Sequence, residues 1–167
     1  GLADAYGRRR IFRIGLTLFL VASVACGAAP SVDWLIAARA FQAIGAALLT
    51  PASMSIVLAA FPTEKRAVAV SLWGAVGGLA AAVGPSLGSW VTASAGWPWA
   101  FYINLPVGIW ALWRSASHIE EAVKPSERRS VDIVGLLLLI LAVGAVALAI
   151  VESGELRWSA QQIAWVG

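Results

Sequence analysis

Five long apolar segments dominate this chain and constrain its fold more than any single motif does. They cover residues 11–29, 35–61, 67–93, 99–116 and 133–151, and most charged residues lie between them. Each reaches roughly 18 residues or more, which is enough to cross about 30 Å of hydrocarbon at about 1.5 Å per residue. Because the bilayer core offers no water to backbone polar groups, such segments must be helical. The sequence therefore predicts an all-α membrane protein, a polytopic bundle of transmembrane helices.

The charge pattern indicates the orientation of these segments and excludes a nucleic-acid-binding protein. The chain has a net charge of +3, but its basic residues flank apolar segments, where they act as topology signals. Ten of the twelve Lys and Arg residues fall in the N-terminal edge, in the 62–66 turn and between Arg114 and Arg129. The positive-inside rule places these three regions in the cytoplasm. An interfacial aromatic belt near the opposite ends is predicted from Trp34, Trp90, Trp97 and Trp99.

Arg39 is the most informative single residue, because it lies inside the second apolar segment. A charge within a span costs several kcal/mol and survives where it faces protein or water. At about 100° per residue, a stripe of polar and small residues runs along this helix: Arg39, Gln42, Ala43, Ala46, Thr50 and Ser53. The stripe predicts a face toward the bundle interior, with Arg39 on a proton or substrate pathway. A snorkelling arginine near the outer membrane end is the other interpretation.

The third segment separates small residues on one face from bulky residues on the other. Gly74–Gly78 and Gly84–Gly88 are both GxxxG pairs, which allow two helix backbones to approach closely. Pro85 removes a backbone hydrogen bond and permits a kink. Two interpretations remain open for this face: a static packing surface or a helix that bends as a gate.

Neither hydrolase nor metal chemistry is indicated. Residues 84–88 match G-x-S-x-G, but a nucleophile elbow needs a strand–turn–helix context and a histidine partner. The single histidine, His118, falls in a predicted cytoplasmic connection, and one His with one Cys cannot form a metal site. Cys26 is interpreted as a small packing residue. We therefore expect no cofactor.

Four stretches resemble, in order and spacing, the motifs of major facilitator superfamily transporters. Residues 1–10 resemble the signature loop between helices two and three, and residues 38–46 resemble the helix-four motif. Residues 84–88 are similar to the helix-five antiporter motif. Residues 97–108 resemble the start of helix six in the 14-helix drug–proton antiporter branch. The resemblance implies a partial major facilitator fold, in which the five spans are helices three to seven of a longer protein.

The resemblance also implies a role for each group of motif residues. The cytoplasmic signature loop would hold one state of alternating access, the helix-four residues would serve proton coupling or the substrate pathway, and the helix-five residues would let that helix bend and pack. The signature-loop residues are Gly1, Asp4, Gly7, Arg8 and Arg9. The helix-four residues are Arg39, Gln42 and Gly45, and the helix-five residues are Gly84, Pro85 and Gly88. Asn104 and Pro106 mark the start of helix six. The chain departs from the pattern at Ala5, where a basic residue is common, and at three glycine positions occupied by Ser71, Ala80 and Ser89.

The predicted function is proton-coupled export of drugs or small metabolites by alternating access, without enzyme activity. Residues 1–116 would form part of the N-terminal bundle, 117–132 a cytoplasmic connection, and 133–167 a further span with its extracytoplasmic loop. The expected partners are a small-molecule substrate, protons and the lipid bilayer of a bacterial cytoplasmic membrane, with no nucleic acid. Two alternatives stay open: a 12-helix facilitator that imports a nutrient, and a polytopic membrane enzyme or scaffold.

Overall fold

Helices make up nearly all of this computed structural model, which describes residues 7–118, 135 and 138–150. Five helices form the first part of the chain: α1 (Arg8–Gly27), α2 (Val32–Ala60), α3 (Arg66–Ala95), α4 (Trp99–Tyr102) and α5 (Asn104–His118). A short 3₁₀ turn, Thr63–Lys65, joins α2 to α3, and Leu138–Ile150 forms a further apolar helix, α6. By length and composition, α1, α2 and the Thr63–Ala95 stretch can each cross a membrane. The predicted all-α membrane class is confirmed.

The first three predicted spans agree with α1, α2 and α3 to within three residues at each end. Local chemistry accounts for the boundaries. The Ser31 hydroxyl accepts a hydrogen bond from the backbone N–H of Trp34 at 3.3 Å and so caps the start of α2. Gly96 follows α3 with φ of 93°, a conformation that favours glycine.

The fourth span, predicted as one helix over 99–116, is instead interrupted at Ile103. Pro106 explains the break, because it has no N–H to donate to the carbonyl of Tyr102 four residues earlier. Proline is tolerated in the first turn of a helix, and α5 accordingly begins at Asn104. This helix continues to His118, two residues beyond the predicted end. The ends of the fifth predicted span, 133–151, lie outside the described residues.

Backbone contacts divide the chain into two units, Gly1–Glu127 and Arg128–Gly167. The first unit contains α1 to α5, and the second contains α6. The predicted connection over 117–132 falls almost wholly outside the described residues. The division into 1–116, 117–132 and 133–167 therefore stays a prediction.

Helix α1 lies at the centre of the first unit, where it packs along α2 and also contacts α4 and α5. Two glycines, Gly15 and Gly45, lie at a close approach of α1 to α2. A Cβ added to Gly45 would lie 2.7 Å from the Phe19 nitrogen and 2.9 Å from the Gly15 carbonyl oxygen. Small residues permit this proximity of two backbones. The buried side chains of the described part are correspondingly small for the most part: Leu16, Leu20, Ala22, Ser23, Cys26, Ala38, Gln42, Ala52, Ala69, Val91 and Ser115.

Two side-chain contacts define the ends of the α1–α2 pair. Arg8 Nη1 donates to the Ser55 carbonyl oxygen at 3.4 Å, which brings the Arg-rich start of α1 to the last turns of α2. At the other end, Trp34 Nε1 donates to the Ala25 carbonyl oxygen at 3.1 Å. Basic residues and Trp34 thus lie at opposite ends of this pair, in agreement with the predicted segregation of basic and aromatic residues.

Candidate functional site

Polar side chains inside the first unit converge on Gln42 of α2, which is only 4% exposed. Its carboxamide oxygen accepts a hydrogen bond from Arg39 Nη1 at 2.9 Å. Its Nε2 donates to the Ser23 hydroxyl of α1 at 2.6 Å. The Cys26 sulfur lies 4.0 Å from the same carboxamide oxygen, and a thiol is a weak donor. We call these four residues, Ser23, Cys26, Arg39 and Gln42, the Gln42 cluster.

The local sequence explains why the cluster forms where α1 crosses α2. On α2, the buried residues recur at helical spacing: Ala38, Gln42, Gly45 and Ala52. Gln42 and Gly45 of this set contact α1. On α1, Ser23 and Cys26 are three residues apart, so they share a face. The glycine contact between Gly15 and Gly45 brings the two faces close enough for the short Ser23 side chain to reach Gln42.

Arg39 is held on two sides although its side chain is largely exposed in the described chain. Gln42 accepts one hydrogen bond from the guanidinium, and the Phe101 ring of α4 lies under it with 5.7 Å from Cζ to the ring centroid. That distance is within the range of a cation–π interaction. Neither partner is an acid, so within the described residues these contacts leave the positive charge without a carboxylate. Arg39 also lies seven residues into α2, about 10 Å along the helix axis.

The predicted polar stripe of α2 coincides only in part with the contact surface. Gln42 meets α1, and the Ser53 hydroxyl accepts a hydrogen bond from Trp73 Nε1 of α3 at 3.3 Å. Thr50 is exposed, and its hydroxyl donates to the Ala46 carbonyl oxygen of its own helix. Gln42 belongs to both sets, whereas the other buried residues of α2, Ala38, Gly45 and Ala52, each lie one residue before a member of the predicted stripe.

The signature-loop residues lie at the other end of α1 from the Gln42 cluster. Gly1 and Asp4 fall outside the described residues. Gly7 precedes α1 with φ of 91°, which favours glycine. Arg8 contacts the last turns of α2, where a positive charge complements the helix dipole. Arg9 lines an open groove of about 760 Å³ along α1, together with Arg10, Arg13, Ile14, Thr17, Leu18 and Val21.

The helix-five motif is separate from the cluster as well. Gly84, Pro85 and Gly88 lie within α3, which continues through the proline. A Cβ on Gly84 or Gly88 would meet no atom within 4 Å among the described residues. The bulky face is also accessible, with Val76 and Trp90 each 68% exposed. The described part of the chain therefore leaves these positions on the two faces of α3 uncovered.

The helix-six residues Asn104 and Pro106 lie at the start of α5, half-buried and exposed respectively. They do not join the cluster, whereas Phe101 of the same sequence stretch lies under Arg39. Sequence reasoning missed Ser23 and Phe101 as site residues. The available sequence signal was weak. Ser23 carries a hydroxyl within an apolar span, three residues before Cys26, and Phe101 lies within residues 97–108, which resemble the start of helix six.

Fold and site together define a multi-pass α-helical membrane protein in which a polar, arginine-containing cluster lies where its helices meet. Comparison with known protein families gives the same class. The family model described as Major Facilitator Superfamily matches residues 1–151. The chain belongs to this superfamily of transporters.

Curated relatives extend along nearly the whole chain. Multidrug resistance protein Stp of Mycobacterium tuberculosis (strain CDC 1551 / Oshkosh) is 41% identical over 96% of this chain and 30% of its own length. Multidrug resistance protein 3 of Bacillus subtilis is 36% identical over 97% of this chain and 32% of its own length. Multidrug export protein EmrB of Escherichia coli is 34% identical over 96% of this chain and 31% of its own length. The chain thus spans about a third of the length of these relatives.

Proposed function

We propose that this chain is part of a proton-coupled transporter of the 14-helix branch that exports drugs or small metabolites across a bacterial cytoplasmic membrane. The names of the relatives support export, because they describe multidrug resistance or multidrug export. Those names do not favour a 12-helix importer of nutrients. Membership of a transporter superfamily likewise favours transport over an enzyme or scaffold.

The position of Arg39 is the observation that carries the coupling part of this proposal. Arg39 lies within a membrane-length helix, and its guanidinium contacts the side chains of Gln42 and Phe101. A fixed positive charge favours the ionised form of a nearby carboxylate and so competes with its proton. A proton moving inward down the membrane potential gains about 2.3 kcal/mol per 100 mV, which can drive substrate outward. Arg39 would thereby link proton release to a conformational step of alternating access.

The other motif residues have supporting roles in the same proposal. Gly1, Asp4, Gly7, Arg8 and Arg9 would form the cytoplasmic charge network, and the Arg8 contact with the Ser55 carbonyl supports a tie between the ends of α1 and α2.

The helix-five and helix-six motif residues also have roles in this proposal. Gly84, Pro85 and Gly88 would form a face on which α3 bends and packs, which is consistent with the space beside the two glycines. Asn104 and Pro106 would set the start of helix six.

The test is dye accumulation in a dye-sensitive bacterial strain that expresses the full-length protein. We expect wild type to keep accumulation of a cationic dye low, and a protonophore to abolish that effect. Arg39→Ala should raise accumulation to the level of cells without the transporter. Arg13→Ala is a matched control, because Arg13 is an exposed arginine near the other end of α1. Membrane amounts of all variants are compared on blots.

High accumulation in wild-type cells at good expression would contradict export of cationic drugs. Low accumulation that persists with the protonophore would contradict proton coupling. Full efflux by Arg39→Ala would remove Arg39 from the coupling step.

A further inference from the structure

We infer that Ser23 on α1 is a positioning residue for Arg39 and acts through the side-chain amide of Gln42. The inference deepens the proposed function, since it names a residue that would set the geometry of the coupling arginine. Ser23 lies outside all four motifs described above. Its hydroxyl is 0% exposed and touches the amide of a residue on another helix.

The hydrogen-bonding groups of Arg39 and Ser23 determine the orientation of the Gln42 amide. A guanidinium only donates hydrogen bonds, so Arg39 requires the carboxamide oxygen of Gln42 as acceptor. The amide nitrogen must then point away from Arg39, and it points at α1. Its donor is satisfied there by the Ser23 oxygen at 2.6 Å. In the reverse orientation, the NH₂ group would face the guanidinium, and two donors would oppose each other.

Burial makes this arrangement depend on Ser23. With Gln42 at 4% and Ser23 at 0% exposure, bulk water has little access to replace a lost partner. Every fully buried side-chain nitrogen or oxygen of the described residues has a hydrogen-bond partner, and a buried donor left without one is destabilising. Removing the Ser23 hydroxyl would leave the amide nitrogen without its acceptor. The amide would then turn or withdraw, and the guanidinium would keep only its contact with Phe101.

Among the described residues, few titratable groups lie on the elements around the cluster. Cys26 of α1 lies against Gln42, and Tyr102 of α4 lies against Gly27. Asp33 lies in the first turn of α2. The arginines of α1 lie 13 residues or more before Cys26, about 20 Å along the helix. Arg114 of α5 is exposed and lies six residues after Gly108, which contacts Leu20 of α1. A change in pH dependence caused by a serine substitution would therefore reflect a displaced Arg39 rather than a lost ionisable group.

The first measurement is independent of transport and uses Cys26 as a reporter. Cys26 is 0% exposed and its sulfur contacts the Gln42 amide, so release of the amide should open the thiol to N-ethylmaleimide. In the purified full-length protein, peptide mass spectrometry follows modification of Cys26 over time. Ser23→Ala should accelerate modification about fivefold or more, and Ser23→Thr, which keeps the hydroxyl, should restore protection. Ser115→Ala is the matched control, because Ser115 is a buried serine that donates to Leu112 of its own helix.

The second measurement is substrate–proton exchange in proteoliposomes as a function of pH. A displaced Arg39 would allow a coupling carboxylate to hold its proton at higher pH, so Ser23→Ala should raise the pH of half-maximal transport by about half a unit or more. Ser23→Thr and Ser115→Ala should follow the wild-type profile. Unchanged Cys26 modification in Ser23→Ala, or an unchanged pH profile in a proton-dependent wild type, would overturn the inference. Absence of proton dependence in wild type, combined with faster Cys26 modification in Ser23→Ala, would instead refute the proposed coupling and leave the positioning role of Ser23 for Arg39 supported.

Discussion

Replacing Gly45 by alanine perturbs the α1–α2 crossing on which the Gln42 cluster depends. The added Cβ would lie 2.7 Å from the Phe19 nitrogen and 2.9 Å from both Phe19 Cα and the Gly15 carbonyl oxygen. All three atoms belong to the backbone of α1, so no side-chain rotation can relieve the contact. Overpacking of this kind costs about 1–3 kcal/mol of stability.

Helix propensity acts in the opposite direction, because alanine is favoured over glycine by about 1 kcal/mol in a helix interior. Gly74→Ala in α3 has the same propensity gain, and its Cβ would meet no atom within 4 Å among the described residues. The stabilisation from the higher helix propensity of alanine therefore cancels when the two variants are compared. We expect Gly45→Ala to unfold with a free energy about 1–3 kcal/mol lower than that of Gly74→Ala.

Unfolding of the purified full-length variants in detergent, followed by circular dichroism against increasing denaturant, measures this difference. A second readout is modification of Cys26, which should be faster in Gly45→Ala because separation of α1 from α2 uncovers the thiol. Equal unfolding free energies for the two variants, with Cys26 equally protected in both, would refute the close approach of α1 and α2 at Gly45.

Three further predictions concern the cap of α2, the contact between α2 and α3, and the small face of α3. Ser31→Ala removes the cap of α2 and should lower the unfolding free energy by about 1 kcal/mol; an unchanged denaturant midpoint would contradict the cap. Trp73→Phe removes the hydrogen bond to Ser53 and should cost about 0.5–1.5 kcal/mol in the same assay; no loss would mean that this bond contributes nothing to α2–α3 packing. Gly88→Leu meets no described atom at its Cβ, so we expect normal membrane amounts but reduced dye efflux, whereas Leu87→Phe on the bulky face should transport normally. Efflux that is equal in the last two variants would argue against a packing role for the small face.

Local features explain how far sequence analysis reached. The bounds of α1, α2 and α3 follow from apolar length and from a cap at Ser31 and a glycine at Gly96, all of which act within a few residues. Pro106 also acts locally, on the carbonyl four residues before it, yet the apolar pattern of 99–116 runs through the break without a change. Hydrophobic periodicity does not register a single missing hydrogen bond, so the interruption at Ile103 was not predicted.

The sequence alone determined the membrane class, the first three spans and the motif stretches. It also placed Arg39 within one turn of Gln42, because residues three apart on a helix are neighbours in any environment. Only the tertiary structure decided that Ser23, Cys26 and Phe101 complete the site. Their meeting depends on which helices pack together, and the glycine contact between Gly15 and Gly45 sets that pairing across 30 residues of sequence. No helical period within one segment specifies the partner segment, and for that physical reason the acceptor of the Gln42 amide emerged only from the fold.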